Sequence, residues 1–187
     1  MARRQLIFVP GLGDRGRLFG LFRPLWTLFG YDVHIVVFGW ERAGMSFATA
    51  RGRFLERIDA LSGEVHIIGV SAGGTAAVHA LLERPSVVAR VVTVCTPYTL
   101  PRGQESNELL IQSVRELEPR FARMTNDLKR RVLSVYGAHD RRVSAALSQP
   151  HGVRAVRLPT AGHGLSIALA LTIFSWPIWQ FLRSPAD

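Results

Sequence analysis

Lysine is almost missing from this chain: Lys129 is its single lysine, and the other 22 of its 23 basic residues are arginine. Those arginines never run longer than pairs such as Arg130–Arg131 and Arg141–Arg142. A net charge of +9 is therefore spread along the chain and not gathered into the tail or patch that marks a nucleic-acid reader. No nucleic-acid partner is expected. Anionic lipid or an acidic substrate suits this charge better. Cysteine is as scarce. Cys95 stands alone inside the apolar run "RVVTVC", which excludes an intrachain disulfide and fits a small buried side chain. No repeat, low-complexity tract or Gly/Ser-rich linker interrupts the 187 residues, so one domain spanning 1–187 is expected. With 48% hydrophobic residues, that domain can build a real core.

Long apolar runs are also few. The opening "MARRQLIFVPGLGD" has a basic start, but its apolar run, Leu6 to Val9, is too short for a signal h-region and reads as a strand. The other exception is residues 164–182, "GLSIALALTIFSWPIWQFL", with no charge in 19 positions. It has the length of a spanning helix. Pro177 interrupts it, and Ser166, Thr172, Ser175 and Gln180 dilute it. It is expected to be a C-terminal helix packed on a sheet, with Leu165, Leu169, Ile173 and Trp176 facing inward and surplus apolar surface around Phe174 and Trp179. A cytoplasmic protein, with room for peripheral membrane contact, follows as the expected setting.

Short Val- and Ile-rich runs alternate with helical patterns. They are Gln5–Val9, Val33–Phe38, Val65–Val70, Arg90–Cys95, Arg131–Tyr136 and Val153–Leu158. None alternates strictly with polar residues, as expected of strands covered on both faces. Phe47, Ala50, Phe54, Ile58 and Leu61 recur at helical spacing behind Ser46, a candidate N-cap. Leu110, Val114, Leu117, Phe121 and Met124 form a second stripe, which Pro119 is expected to break or restart. Residues 17–29 are apolar nearly all round. The alternation predicts an α/β fold: a doubly wound, mostly parallel six-stranded sheet with helices on both faces. In such sheets ligands bind beyond the carboxyl ends of the strands.

The residues just after each strand therefore matter. After the third comes Gly69-Val70-Ser71-Ala72-Gly73, a G-x-S-x-G pattern between a strand and a helix. The pentapeptide alone is common by chance; the frame gives it weight. A tight strand–turn–helix strains the serine backbone and lifts its hydroxyl above the sheet, and tiny neighbours provide clearance. After the first strand comes "VPGLGDRG", whose glycines let amides face a ligand. After the fifth comes Asp140, and after the sixth His163 between Gly162 and Gly164. Serine, acid and histidine thus fall on the ligand-binding edge in the order Ser…Asp…His. His34, His66, His79, His139 and His151 show no metal-ligand spacing, and no metal or cofactor is expected.

On these residues the chain resembles the α/β-hydrolase superfamily over nearly its whole length. It looks like a small lipase- or esterase-like serine hydrolase with a minimal lid. The resemblance implies Ser71 as nucleophile, Asp140 as acid and His163 as base. It implies the backbone N–H groups of Leu12 and Ala72 as oxyanion donors, with Pro10 where many members carry histidine. Measured against the family pattern, the chain opens at the strand before the oxyanion loop, so a minimal six-stranded version is expected. Residues 97–129 lie where members insert a lid and can hold a small lid or helical excursion. The implied activity is hydrolysis of carboxylic esters of small acyl or lipid-like substrates through an acyl-enzyme. A thioesterase or amidase would use the same residues, and a non-catalytic binding protein could keep the fold. The sequence leaves the oligomeric state open.

Overall fold

The computed structural model describes residues 4–13, 16–100 and 107–184. Along the chain these form β1 (Arg4–Val9), α1 (Gly16–Phe19), α2 (Arg23–Leu28), β2 (Tyr31–Ile35), α3 (Phe47–Asp59), β3 (Val65–Val70) and α4 (Ala72–Glu83). Then follow β4 (Val88–Val94), α5 (Glu108–Ala122), α6 (Asn126–Arg130), β5 (Val132–His139), α7 (Ala145–Ser148), β6 (Arg154–Ala161), α8 (His163–Leu171) and α9 (Ser175–Arg183). The six strands make one sheet in the order β2-β1-β3-β4-β5-β6, and every neighbouring pair is parallel.

Period-2 geometry sends alternate side chains to opposite faces. Ile7, Val9, Ile67, Val91 and Val132 face a core filled by α3, α4 and α5. Leu6, Phe8, Ile68, Val70, Val92, Val94, Leu133 and Val135 face a second core filled by α1, α2, α8 and α9. Both faces are dry, which is why the strand sequences show no polar alternation. The chain turns one way from β1 to β2 and the other way from β1 to β3. The crevice between the ends of β1 and β3 is therefore the topological switch point of the sheet.

Three local expectations are revised, and residues 17–29 gain an assignment. The second strand covers Tyr31–Ile35 and not Val33–Phe38. Gly30, at φ 93°, turns the chain early, so pairing with β1 begins at Tyr31. Residues 17–29 form two short helices, because Pro24 in the first turn of α2 starts a new helix after the Gly20–Phe22 turn. Pro119 does not break α5, which continues to Ala122. The carbonyl it deprives belongs to Arg115, an exposed residue where water can replace the lost donor.

The C-terminal segment forms two helices bent by 54°, not one. Pro177 has no N–H for a preceding turn, but it fits the first turn of α9, where amides have no helical acceptor. The break shifts the helical phase. Ser166, Ala170, Leu171, Ile178, Phe181 and Leu182 face inward. Leu165, Ile173 and Trp176, expected to face the sheet, are exposed. Phe174 and Trp179, expected as surplus surface, pack against the second core. Among the described residues no single helix is long and apolar enough to cross a membrane, although α8 and α9 together pass on length and composition.

Candidate active site

Three strand ends converge above the switch point. Ser71 joins β3 to α4 with φ 51° and ψ −127°, a region ordinary residues avoid. Its amide donates to the Val94 carbonyl at 2.8 Å, tying the turn to β4. The strain fits because α4 begins almost on the strand: a side chain at Gly69 would collide with the Gly73 backbone, and one at Gly73 with the Val9 carbonyl. The Ser71 hydroxyl does not cap α4. It meets His163 Nε2 at 2.9 Å.

His163 is the first residue of α8, and Gly162 before it has φ 82°. His163 Nδ1 lies 2.7 Å from Asp140 Oδ2, whose side chain is fully shielded from solvent. The other carboxylate oxygen accepts the amides of Arg142 at 2.9 Å and Val143 at 3.0 Å. Burial works against the Asp140 charge. The Val143 amide, the His163 ring and the Arg142 amide outweigh it and hold the carboxyl below its ordinary value. Acid and base loops are joined by their own backbone, since Gly162 N–H donates to the His139 carbonyl at 3.1 Å. Ser166, one turn into α8, donates to the Gly162 carbonyl at 2.7 Å and lies 2.8 Å from the Thr160 hydroxyl.

The loop after β1 lies directly against this serine. A Cβ on Gly11 would stand 2.7 Å from Ser71 Cβ and 3.3 Å from the Ala72 nitrogen. Trp40 Nε1 donates to the Pro10 carbonyl at 3.1 Å, and the Asn107 amide donates to the Trp40 carbonyl at 2.9 Å. Ala72 opens α4, so its amide belongs to the first turn, which lacks helical acceptors. Leu12 follows Gly11 with its side chain 37% exposed. Ala72 thus adjoins the serine, and Leu12 is one residue beyond the Gly11 that packs against it. Asp14 lies outside the described residues.

Two participants escaped the sequence reading. Nothing in the sequence marks Trp40: its bond to Pro10 spans 30 residues and has no local signal. Cys95 is buried as expected, but its φ of 51° matches that of Ser71. Donor atoms of Cys95, Asp140 and His163 all lie within 4.8 Å of one another. Burial, reinforced by the Asp140 carboxylate and opposed by a Gly137 backbone contact, pushes the Cys95 thiol up to about 12. A protonated thiol beside an acid–base pair already bonded to each other is a poor metal cage, because a metal needs the thiolate.

The expected lid segment, residues 97–129, holds α5 (Glu108–Ala122) and most of α6, which ends at Arg130; its residues 101–106 lie outside the described residues. α5 is bound to α4: His79 Nε2 donates to the Ser113 carbonyl at 2.9 Å, and Ser113 donates to Thr75 Oγ1 at 2.7 Å. Arg120 reaches Glu83 at 2.9 Å.

No family model and no curated protein matches the sequence. Solved structures do match. A candidate non-heme bromoperoxidase from Mycobacterium tuberculosis superposes with a TM-score of 0.74 at 16% identity, covering 97% of this chain and 92% of that one. A monoacylglycerol lipase from Paleococcus ferrophilus gives 0.69 at 15% identity, covering 95% and 93%. A thioesterase domain from the curacin biosynthetic pathway gives 0.66 at 14% identity, covering 94% and 91%. The all-parallel sheet, the strained turn after β3 and these superpositions agree: the chain has the α/β-hydrolase fold.

Proposed function

We propose that this protein is a serine hydrolase that cleaves carboxylic esters through an acyl-enzyme. The observation that carries the reading is the unbroken run from Ser71 Oγ to His163 Nε2 at 2.9 Å and from His163 Nδ1 to Asp140 Oδ2 at 2.7 Å. His163 Nε2 takes the hydroxyl proton as Ser71 Oγ attacks the acyl carbon, and then hands it to the departing alcohol. Water then attacks the acyl carbon as His163 takes its proton; the acyl–oxygen bond to Ser71 breaks, the imidazolium returns the proton to Ser71 Oγ, and the acid leaves. Asp140 holds the imidazole with its Nδ1–H inward and stabilises the imidazolium formed in both steps.

The Leu12 and Ala72 amides stabilise the tetrahedral oxyanion. Each such donor is worth roughly 2.7–4 kcal/mol where it has been removed from a protease. The substrate is a small molecule with an acyl group, and no metal or cofactor enters the chemistry. Labelling with a fluorophosphonate probe, followed by a chain-length series of nitrophenyl esters, tests this. The adduct is expected on Ser71. An adduct on another serine, or ester hydrolysis unaffected by Ser71→Ala, overturns the assignment.

A further inference from the structure

Eight large apolar side chains are exposed on the described surface, and seven of them come from two segments. Leu12, Leu18, Leu21 and Leu28 lie along the oxyanion loop and α1–α2; Leu165, Ile173 and Trp176 lie along α8–α9. These segments belong to one layer, for both fill the second core. They are also stitched together: Trp26 Nε1 donates to the Leu171 carbonyl at 3.1 Å, and the Phe29 and Trp179 rings lie 5.6 Å apart. Leu21, Leu28 and Ile173 are 75%, 83% and 73% exposed. Large apolar side chains exposed together on one layer mark an interaction surface, where the same residues scattered singly would not.

The charges on this layer have one sign. Residues 16–30 and 162–184 contain no aspartate or glutamate but carry Arg17, Arg23 and Arg183. Arg183 lies over the Trp179 ring at 4.6 Å. Exposed leucines, a half-exposed tryptophan and arginines without acids suit a surface that seats in the headgroup region of a bilayer. A second copy of the chain would bring these same cations against each other across a two-fold contact.

We propose that the outer side of the α1–α2 and α8–α9 layer docks on an anionic bilayer surface. Leu12 adjoins Gly11, which touches Ser71, and Leu165 is two residues from His163. Docking therefore brings the candidate site to the edge of the lipid. That an acyl substrate reaches Ser71 from the bilayer is the one part that rests on the hydrolase reading.

Co-sedimentation with phosphatidylcholine vesicles, with and without phosphatidylglycerol, decides the matter. Wild type and Ser71→Ala are expected to bind the anionic vesicles equally and the neutral ones weakly, with a blue shift of tryptophan emission. Leu21→Asp/Ile173→Asp should weaken binding by at least about tenfold, since two apolar anchors are lost. Leu28→Asp serves as the replacement if that pair fails to fold by circular dichroism. Arg17→Glu/Arg23→Glu should weaken it by about tenfold or more. Arg115→Glu/Arg123→Glu, at the exposed side and C-cap of α5 on the other face of the sheet, should change it by no more than about twofold, because the sheet keeps those charges more than a Debye length from the lipid. Equal losses from the two arginine pairs would mean unspecific adsorption of a basic protein and would overturn the proposal. So would absence of binding, or a dimer that Ile173→Asp dissolves. Docking by a protein that hydrolyses no ester leaves this inference standing and removes the hydrolase reading; an active esterase that ignores vesicles does the reverse.

Discussion

At the scale of single residues, Ser71 and Cys95 share a backbone state that side chains rarely adopt, both near φ 51° and both at the end of a central strand. Holding a residue there costs on the order of 1–3 kcal/mol, so something must hold it. For Ser71 the crossing of β3 and α4 does so, and Ser71→Ala should cut turnover by several orders of magnitude while the fold persists. Steady-state kinetics beside a thermal melt checks this. For Cys95 the thiol's company is Asp140 and His163. Removing that weak donor with Cys95→Ala should lower kcat/KM measurably, with kcat reduced by no more than about tenfold and the fold retained. Kinetics that superimpose on wild type would make Cys95 a packing residue only. The meeting of Ser71, Asp140 and His163 was legible because each lies within two residues of a strand end. Cys95 also follows a strand, but nothing in "RVVTVC" announces a positive φ or a neighbour 45 residues away.

Among the elements, the C-terminal pair shows how far periodicity reaches. Leu165, Leu169, Ile173 and Trp176 do recur at helical spacing, yet Leu165, Ile173 and Trp176 point outward. Periodicity finds a stripe; it cannot say which stripe is covered when both are apolar, and Pro177 resets the phase midway. The inward side of α8 begins instead with Ser166, which hydropathy alone would expose. It is fully buried because its hydroxyl satisfies the Gly162 carbonyl and lies against Gly137, where no larger side chain fits. Ser166→Val should therefore destabilise the protein by about 1–3 kcal/mol through overpacking. It should also lower kcat more than it raises KM, since His163 is the residue displaced. Urea unfolding and a kcat–KM split measure the two effects. A variant with lost stability and unchanged kcat would mean that the histidine is positioned by the β5–β6 loops alone. The strand set, by contrast, was nearly complete in the sequence, because buried parallel strands leave uninterrupted Val/Ile runs that no surface helix imitates.

For the whole molecule, acid should be a greater threat than its charge alone suggests. His66 is buried on β3 with neither ring nitrogen hydrogen-bonded, and its ring meets Tyr31 edge-on at 5.7 Å. Burial, together with Arg4 and Arg90, lowers its pKa from 6.5 to about 4. His79 is buried under α5; burial also lowers it to about 4, against the Ser113 carbonyl bond that raises it. In the unfolded chain both titrate near 6.5. Between pH 6.5 and 4 the unfolded state therefore binds protons that the folded state refuses, so stability rises with pH across that window. The contribution is fully present above pH 6.5 and is lost as pH falls to about 4, at roughly 3 kcal/mol for each histidine. Asp140 adds to the loss only lower down, because its depressed carboxyl gives up its contribution below the ordinary carboxylate value. Urea midpoints measured from pH 7.5 to 4.5 should fall steadily. In His66→Phe/His79→Gln the fall should be much shallower: phenylalanine keeps the ring contact with Tyr31, and the glutamine amide can still donate to Ser113. A wild-type midpoint that stays level down to pH 4.5 would show that one or both rings find a proton acceptor on folding, and the neutral-histidine account of this core would be wrong.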